Sequence, residues 1–405
     1  MLKVNTLVKQ NTKFTTATLG CFLRMPLTSH NLAYASLIAK SQMNATIYFR
    51  TVREQQRELS KLYDLQFEVT PQLFGKQIII SYVANFLEPT EVLDPEYTYE
   101  KIVDILEKLI HCPDVFNSDL LELTKKQLLS DYNELMQQPS NYAIERFFKL
   151  WYKHQPDYAE NFMGPIEEIK EATIASAQKF VKAMQKMPSS VICIARDSKQ
   201  MEKLIKDNFK QVGVLEEFMT NDFSIPAEKL DIDQVDNYGN LQAQLMMGYG
   251  YREKLDYKKQ ICGMVLSQYL AGDQSSKLFT KIREELGAAY DVEANNYANN
   301  CLFLINAGLD PDQVDKAKAI IKHEVNQVAT GKINLDLLKK AKKSLLNTQL
   351  IGQDQENWQL AQMLRDQLFP EYQDFDREKA IKHVTAKQLE KFAQNLFFNE
   401  SYVLK

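Results

Sequence analysis

The strongest constraint on this chain is that it repeats itself. Asn117 to Leu129 (NSDLLELTKKQLL) aligns without gaps with Asn334 to Leu346 (NLDLLKKAKKSLL), at an offset of 217 residues. The Asn, the Asp, the Lys-Lys and both Leu-Leu positions are kept. A second pair, Ile169-Lys170, Thr173 and Lys179-Phe180 against Ile381-Lys382, Thr385 and Lys391-Phe392, recurs at an offset of 212, and each copy runs into a short apolar stretch. A weaker third echo sets Arg50 to Glu54 beside Thr280 to Glu284. Amphipathic helices rich in Leu and Lys resemble one another, but two matches at nearly one offset point to duplication of a domain of roughly 200 residues.

A duplicated chain needs a link where periodicity lapses. The stretch from Asn221 to Gly239 is acidic, carries Pro226 and ends on Gly239, so the expected domains are residues 1–222 and 238–405. In the first half, Thr15 to Met25 and Gln77 to Asn85 read as strands, Asn31 to Lys40 and Val52 to Leu62 as helices, and helices dominate from Tyr99 to Met187. In the second, Leu241 to Tyr249, Ala289 to Tyr297 and Cys301 to Gly308 read as strands. Lys258 to Leu270 and Ser276 to Leu286 read as helices, the latter closed by Gly287. This order predicts an α+β fold: two copies of a mainly antiparallel sheet with helices on one face.

Composition narrows the functions. Lys plus Arg total 49 against 53 for Asp plus Glu, a net charge of −4 that leaves no basic footprint for nucleic acid. The five cysteines are scattered and never form Cys-x-x-Cys, and the N-terminus lacks the apolar core of a signal peptide. The expected compartment is the cytoplasm, with no membrane partner. The five histidines (His30, His111, His154, His323, His383) are far apart, and neither His-Glu-x-x-His nor its inverse occurs. No metal site, nucleophile motif or phosphate-cradling Gly-rich loop is visible.

One stretch carries a resemblance. Gly272-Asp-Gln-Ser-Ser276-Lys-Leu-Phe279-Thr-Lys-Ile-Arg283-Glu284-Glu-Leu-Gly287-Ala-Ala-Tyr290-Asp-Val292 resembles the second-domain signature of the insulinase/pitrilysin peptidases, or inverzincins. These are duplicated proteins with a metalloprotease fold of the LuxS/MPP type. The resemblance implies a zinc motif on the helix after the first strand, but that helix here reads Asn31-Leu32-Ala33-Tyr34-Ala35-Ser36-Leu37-Ile38. The nearest counterpart of the family's distal carboxylate is Asp131, ahead of Pro139, and it also reads as a surface aspartate. Arg283 and Tyr290 stand at the family's spacing. By resemblance they are substrate-binding residues, Arg283 toward peptide carbonyls and Tyr290 toward the oxyanion. Tyr290 with Val292 in a core and Arg283 paired to Glu284 or Glu285 is the other reading.

The resemblance therefore implies an inactive member with no catalytic residue, metal or cofactor of its own. It looks most like the YmfF-type subunit of bacterial pairs. That implies a zinc-bearing homologue as partner, a peptide or protein substrate, and a role in elongation factor P modification or peptide maturation. A purely structural homologue is the alternative.

Overall fold

The computed structural model describes residues 5–405 except 116, 210–217, 240–241, 252–255, 286–288, 370–371 and 373–374; for 284, 285, 289 and 290 it describes the backbone alone. The strands form two five-stranded sheets. The first contains β1 (Asn5–Gln10), β2 (Thr16–Pro26), β3 (Gln66–Phe74), β4 (Gln77–Leu87) and β5 (Ser189–Ala195), in the order β1-β5-β2-β4-β3. The second contains β6 (Ile232–Asp236), β7 (Ala243–Tyr251), β8 (Ala289–Tyr297), β9 (Leu302–Leu309) and β10 (Leu396–Leu404), in the order β6-β10-β7-β9-β8. The second order is the first with each number raised by five. In both sheets one edge strand, β1 or β6, runs parallel to its neighbour and every other pairing is antiparallel.

The helices repeat in the same way. The first half carries α1 (Ser29–Asn44), α2 (Val52–Ser60), α3 (Tyr99–His111), α4 (Ser118–Met136), α5 (Pro139–Trp151), α6 (Ile166–Glu171), α7 (Ile174–Met184) and α8 (Ser198–Asn208). The second carries α9 (Tyr257–Ala271), α10 (Val314–Ala329), α11 (Leu335–Gly352), α12 (Glu356–Leu368), α13 (Arg377–His383) and α14 (Ala386–Asn395). The residues kept between the copies are helix starts. Asn117 Oδ1 accepts from the N–H groups of Asp119 and Leu120, both at 3.1 Å, ahead of α4, and Asn334 Oδ1 accepts from those of Asp336 and Leu337, both at 3.0 Å, ahead of α11. Thr173 and Thr385 each close a reciprocal capping box, with Ser176 and Gln388. Each cap satisfies backbone donors that the first helical turn leaves unpaired.

The chain forms two compact units that are not two contiguous stretches. One consists of Met1–Glu134, Glu160–Asp222 and Gln353–Gln373; the other of Leu135–Ala159, Phe223–Gly352 and Asp374–Lys405. A single cut between residues 222 and 238 therefore describes the chain incompletely, because α5 and α12, which follow the equivalent helices α4 and α11, are exchanged. Helix α5 packs on β7 and β10, and α12 on β2 and β5. The stretch expected to be a link also contains β6, whose short alternation of Ile, Val and polar residues suits an edge strand.

Strand parity explains how the exchange works. Met246, Gly248, Leu304, Glu400 and Tyr402 stand on one face of the second sheet, with Gly248 paired to both Leu304 and Glu400. There Met246, Leu304 and Tyr402 pack with Phe147 and Trp151 of α5 in a buried cluster. A Cβ on Gly248 would lie 2.6 Å from Phe147 Cζ and 2.7 Å from Trp151 Cζ3, so glycine is what lets the rings reach the sheet. The opposite face meets the helical layer: Tyr251 and Phe303 contact Phe392 of α14 at ring distances of 5.7 and 6.4 Å. In the first unit, Gly20 faces Leu360 of α12, while Tyr82 across the sheet donates its hydroxyl to Gln42 of α1 at 2.8 Å.

Candidate functional site

Arg283 lies on a π-helical turn, Phe279–Glu285, anchored by the fully buried Ile282 and by Leu278 just before it. The expected α-helix from Ser276 thus widens into a π-turn, a winding often associated with functional sites; the expected Gly287 stop lies outside the described residues. Arg283 is exposed, and its Cζ sits 4.8 Å from the centroid of the Phe279 ring, a cation–π contact within one turn. Tyr290 is in β8, where the register against β9 slips by one: Ala289 pairs with Leu309 and Asp291 with Gly308, which makes Tyr290 the extra residue of a bulge. Asp291 fixes this bulge by accepting from the Gly308 N–H at 3.1 Å. Bulges re-aim the strand locally and are common beside active sites. The Tyr290 side chain lies outside the described residues, as do those of Glu284 and Glu285.

In the first unit, α1 occupies the place where the resemblance puts a zinc motif. Leu32, Ala33, Tyr34, Ala35, Ser36, Leu37 and Ile38 are all buried. The Tyr34 ring packs between His30, at 4.6 Å, and Phe180, at 5.5 Å, and the Ser36 hydroxyl donates to the carbonyl of Phe162 at 3.1 Å. Gly164, at φ +80°, brings its backbone over Ala33, where a Cβ would stand 2.7 Å from the Ala33 nitrogen. Asp131 of α4 accepts from Lys40 Nζ of α1 at 2.8 Å. The nearest counterpart of the family's distal carboxylate is thus paired with a lysine of α1. Among the described residues, no three His, Cys, Asp or Glu side chains gather as metal ligands. This donor set does not fit zinc, which takes several N, S or O ligands together.

Along the open edge of the first sheet runs a cleft of about 600 Å3, lined by Leu59, Asp64, Gln66, Glu68, Asn85 and Asn357. Because β3 pairs with β4 alone in this sheet, its outer N–H and C=O groups offer a template for an extended peptide. Neither this cleft nor the Lys40–Asp131 pair was expected, since each joins residues distant in sequence.

Residues 171–345 match the peptidase M16 inactive domain. That part of the chain, about two-fifths of its length, is similar to the insulinase, or M16 peptidase, family in its inactive form. The chain is 22% identical over 257 residues to an uncharacterized zinc protease of Rickettsia felis, a match covering 63% of this chain and 61% of that protein; a similar protein of Rickettsia bellii is matched over 51% of its length. The chain thus spans between about half and three-fifths of these relatives. The fold is that of a conserved protein from Enterococcus faecalis V583, with a TM-score of 0.88 and 17% identity over 99% of this chain and 96% of that one. A peptidase M16 inactive domain from Pseudomonas fluorescens gives a TM-score of 0.78 and 14% identity over 100% and 97%. Residues 171–345 thus match a peptidase-like domain of the inactive type, and no described helix is long and apolar enough to cross a membrane.

Proposed function

We propose that this chain is the non-catalytic subunit of a heterodimeric zinc peptidase in the cytoplasm. A zinc-bearing homologue supplies the metal, and this chain supplies Arg283 and Tyr290 to the bound peptide. The observation that carries the reading is the exposed Arg283 on a π-turn that leads into the bulge at Tyr290. A guanidinium there has a rigid fork of donors for peptide carbonyls, and a tyrosine hydroxyl can donate to the oxyanion formed as water attacks. The open edge of β3 adds a place for substrate to lie as an extended strand. The process served, by resemblance to the YmfF-type subunit, is elongation factor P modification or peptide maturation.

The cation–π contact of Arg283 with Phe279 favours a second reading, a scaffold homologue in which the arginine is structural. Co-expression with a zinc-bearing homologue, size exclusion and a peptide-cleavage assay separate the two. Under the shared-site reading Arg283→Ala and Tyr290→Phe assemble normally and lose roughly 100-fold to 1,000-fold in turnover, the usual loss for one such donor. Unchanged cleavage would leave the scaffold reading, and two non-interacting monomers would sink the heterodimer.

A further inference from the structure

The second unit carries a groove that nothing above employs. Two adjoining cavities of about 460 and 390 Å3 share Lys258, Cys262 and Gln388 and lie between α9 and the pair α13 and α14. The floor is apolar: Ile261, Cys262, Val384 and Phe392 are all buried side chains that reach its surface. Burial pushes the Cys262 thiol up to about 11, so at neutral pH it is packing surface and not a nucleophile. The rim is cationic, with Lys258 and Lys259 from α9, Lys379 from α13 and Lys391 from α14.

Two aspartates also line the groove, and both are occupied at helix starts. Asp256 caps α9 by accepting from the Lys259 N–H and Asp376 caps α13 by accepting from the Lys379 N–H, each at 2.8 Å. They keep their charge, and Lys258, Lys379 and Lys391 outnumber them on the described rim. A positive rim in a chain of net charge −4 is a local reversal. Its ligand is therefore selected by place and not drawn by the field of the whole molecule. A small anion would leave the apolar floor uncovered. A long polyanion such as nucleic acid would meet the acidic remainder of the surface.

We propose that this groove binds an acidic peptide segment of another protein, with apolar side chains on the floor and carboxylates at the lysine rim. The combined volume lies within the range of sites that bury a peptide-sized ligand, and rim charges of this kind act mainly on selection and encounter rate. The groove stands independently of the role given to Arg283 and Tyr290.

The test is fluorescence anisotropy with the full chain and a short fluorescein-labelled peptide of alternating glutamate and leucine. A lysine-for-glutamate counterpart and inorganic polyphosphate serve as competitors. The expected result is saturable binding that weakens with salt and resists both competitors. In the doubly reversed variant Lys258→Glu with Lys391→Glu it should fall by about tenfold or more, as expected for reversing two charges near a surface. Both lysines are exposed, so circular dichroism of the variant should match the parent. Absence of saturable binding, equal binding by the variant, or displacement by polyphosphate as effective as by unlabelled peptide would each overturn the proposal. A misfolded variant would be replaced by Lys379→Glu with Lys391→Glu, read by the same criteria.

Discussion

Helices α5 and α12 hold equivalent places on their two sheets yet bring different chemistry to them. Under α5 the contact is aromatic: Phe147, Trp151 and Tyr152 lie on a face opened by Gly248, and the Tyr152 hydroxyl takes a hydrogen bond from Asn300 at 2.9 Å. Under α12 it is laced with polar pairs, Thr16 donating to Glu356 and Ser190 to Gln367, beside Leu360 and Leu364. A second contrast concerns what is left unpaired. Glu400 is fully buried on the α5 face, neither of its carboxylate oxygens has a hydrogen-bond partner among the described residues, and burial pushes its pKa up to about 9, partly offset by Lys153. The two copies thus share the geometry of the exchange and not its chemistry: one helix is held by aromatic packing, the other by hydrogen bonds beside leucines.

The largest difference should appear on truncation. Phe147→Ala is expected to cost about 3–5 kcal/mol in urea unfolding, the usual penalty for emptying a buried aromatic site. The paired change Ser190→Ala with Gln367→Leu should be nearly neutral, because both partners of the bond leave together. Equal shifts of the two midpoints would break the contrast.

Glu400 sharpens it through pH. Its folded pKa lies above the ordinary value of 4.5, so the native state binds the proton more tightly than the unfolded chain does. The stability it contributes is full below about pH 4.5 and is lost as pH rises toward about 9. Glu400→Gln should therefore leave stability at pH 4 little changed relative to the parent and gain up to about 3 kcal/mol at pH 7. A melting profile with parallel pH dependence for parent and variant would show that Glu400 does not titrate in this way.

Smaller effects test the details of the exchange. Gly248→Ala should cost about 1–3 kcal/mol by forcing the two rings off the sheet, measured in the same urea series; a neutral outcome would mean that α5 can slide. The capping boxes should give the smallest effect. Thr173→Ala and Thr385→Ala are each expected to lose about 1 kcal/mol, and a twofold difference in midpoint shift would show that the copies no longer depend equally on their caps.

These contrasts also indicate what the sequence could reveal. The conserved Asn117 and Asn334, and Thr173 and Thr385, were legible because a cap is decided within four residues, and the apolar runs of β2, β4 and β7 were legible because burial on both faces leaves a continuous signal. Strands β1 and β6 were not, since short, half-exposed edge strands gain their partners from residues 185 and 168 positions away. The site divides in the same way. Arg283 and Tyr290 stand out only through the family resemblance, and they lie on a turn and a bulge. The Lys40–Asp131 pair depends on two helices meeting, which no local pattern encodes. The exchange of α5 and α12 is invisible for the same reason: their amphipathic faces say that each is buried, not on which sheet.

The exchange bears on how the chain comes into being. A nascent polypeptide ordinarily completes its first domain before the second is synthesised. Here residues 353–373, the piece that covers the β2–β5 face, are made well after the strands they cover. Until then that face, with Phe22 on β2, waits uncovered, while α5 waits for β7 and β10. Closing loops of this length is slow, so each unit is completed by a segment supplied out of turn, and neither finishes folding on contiguous sequence alone.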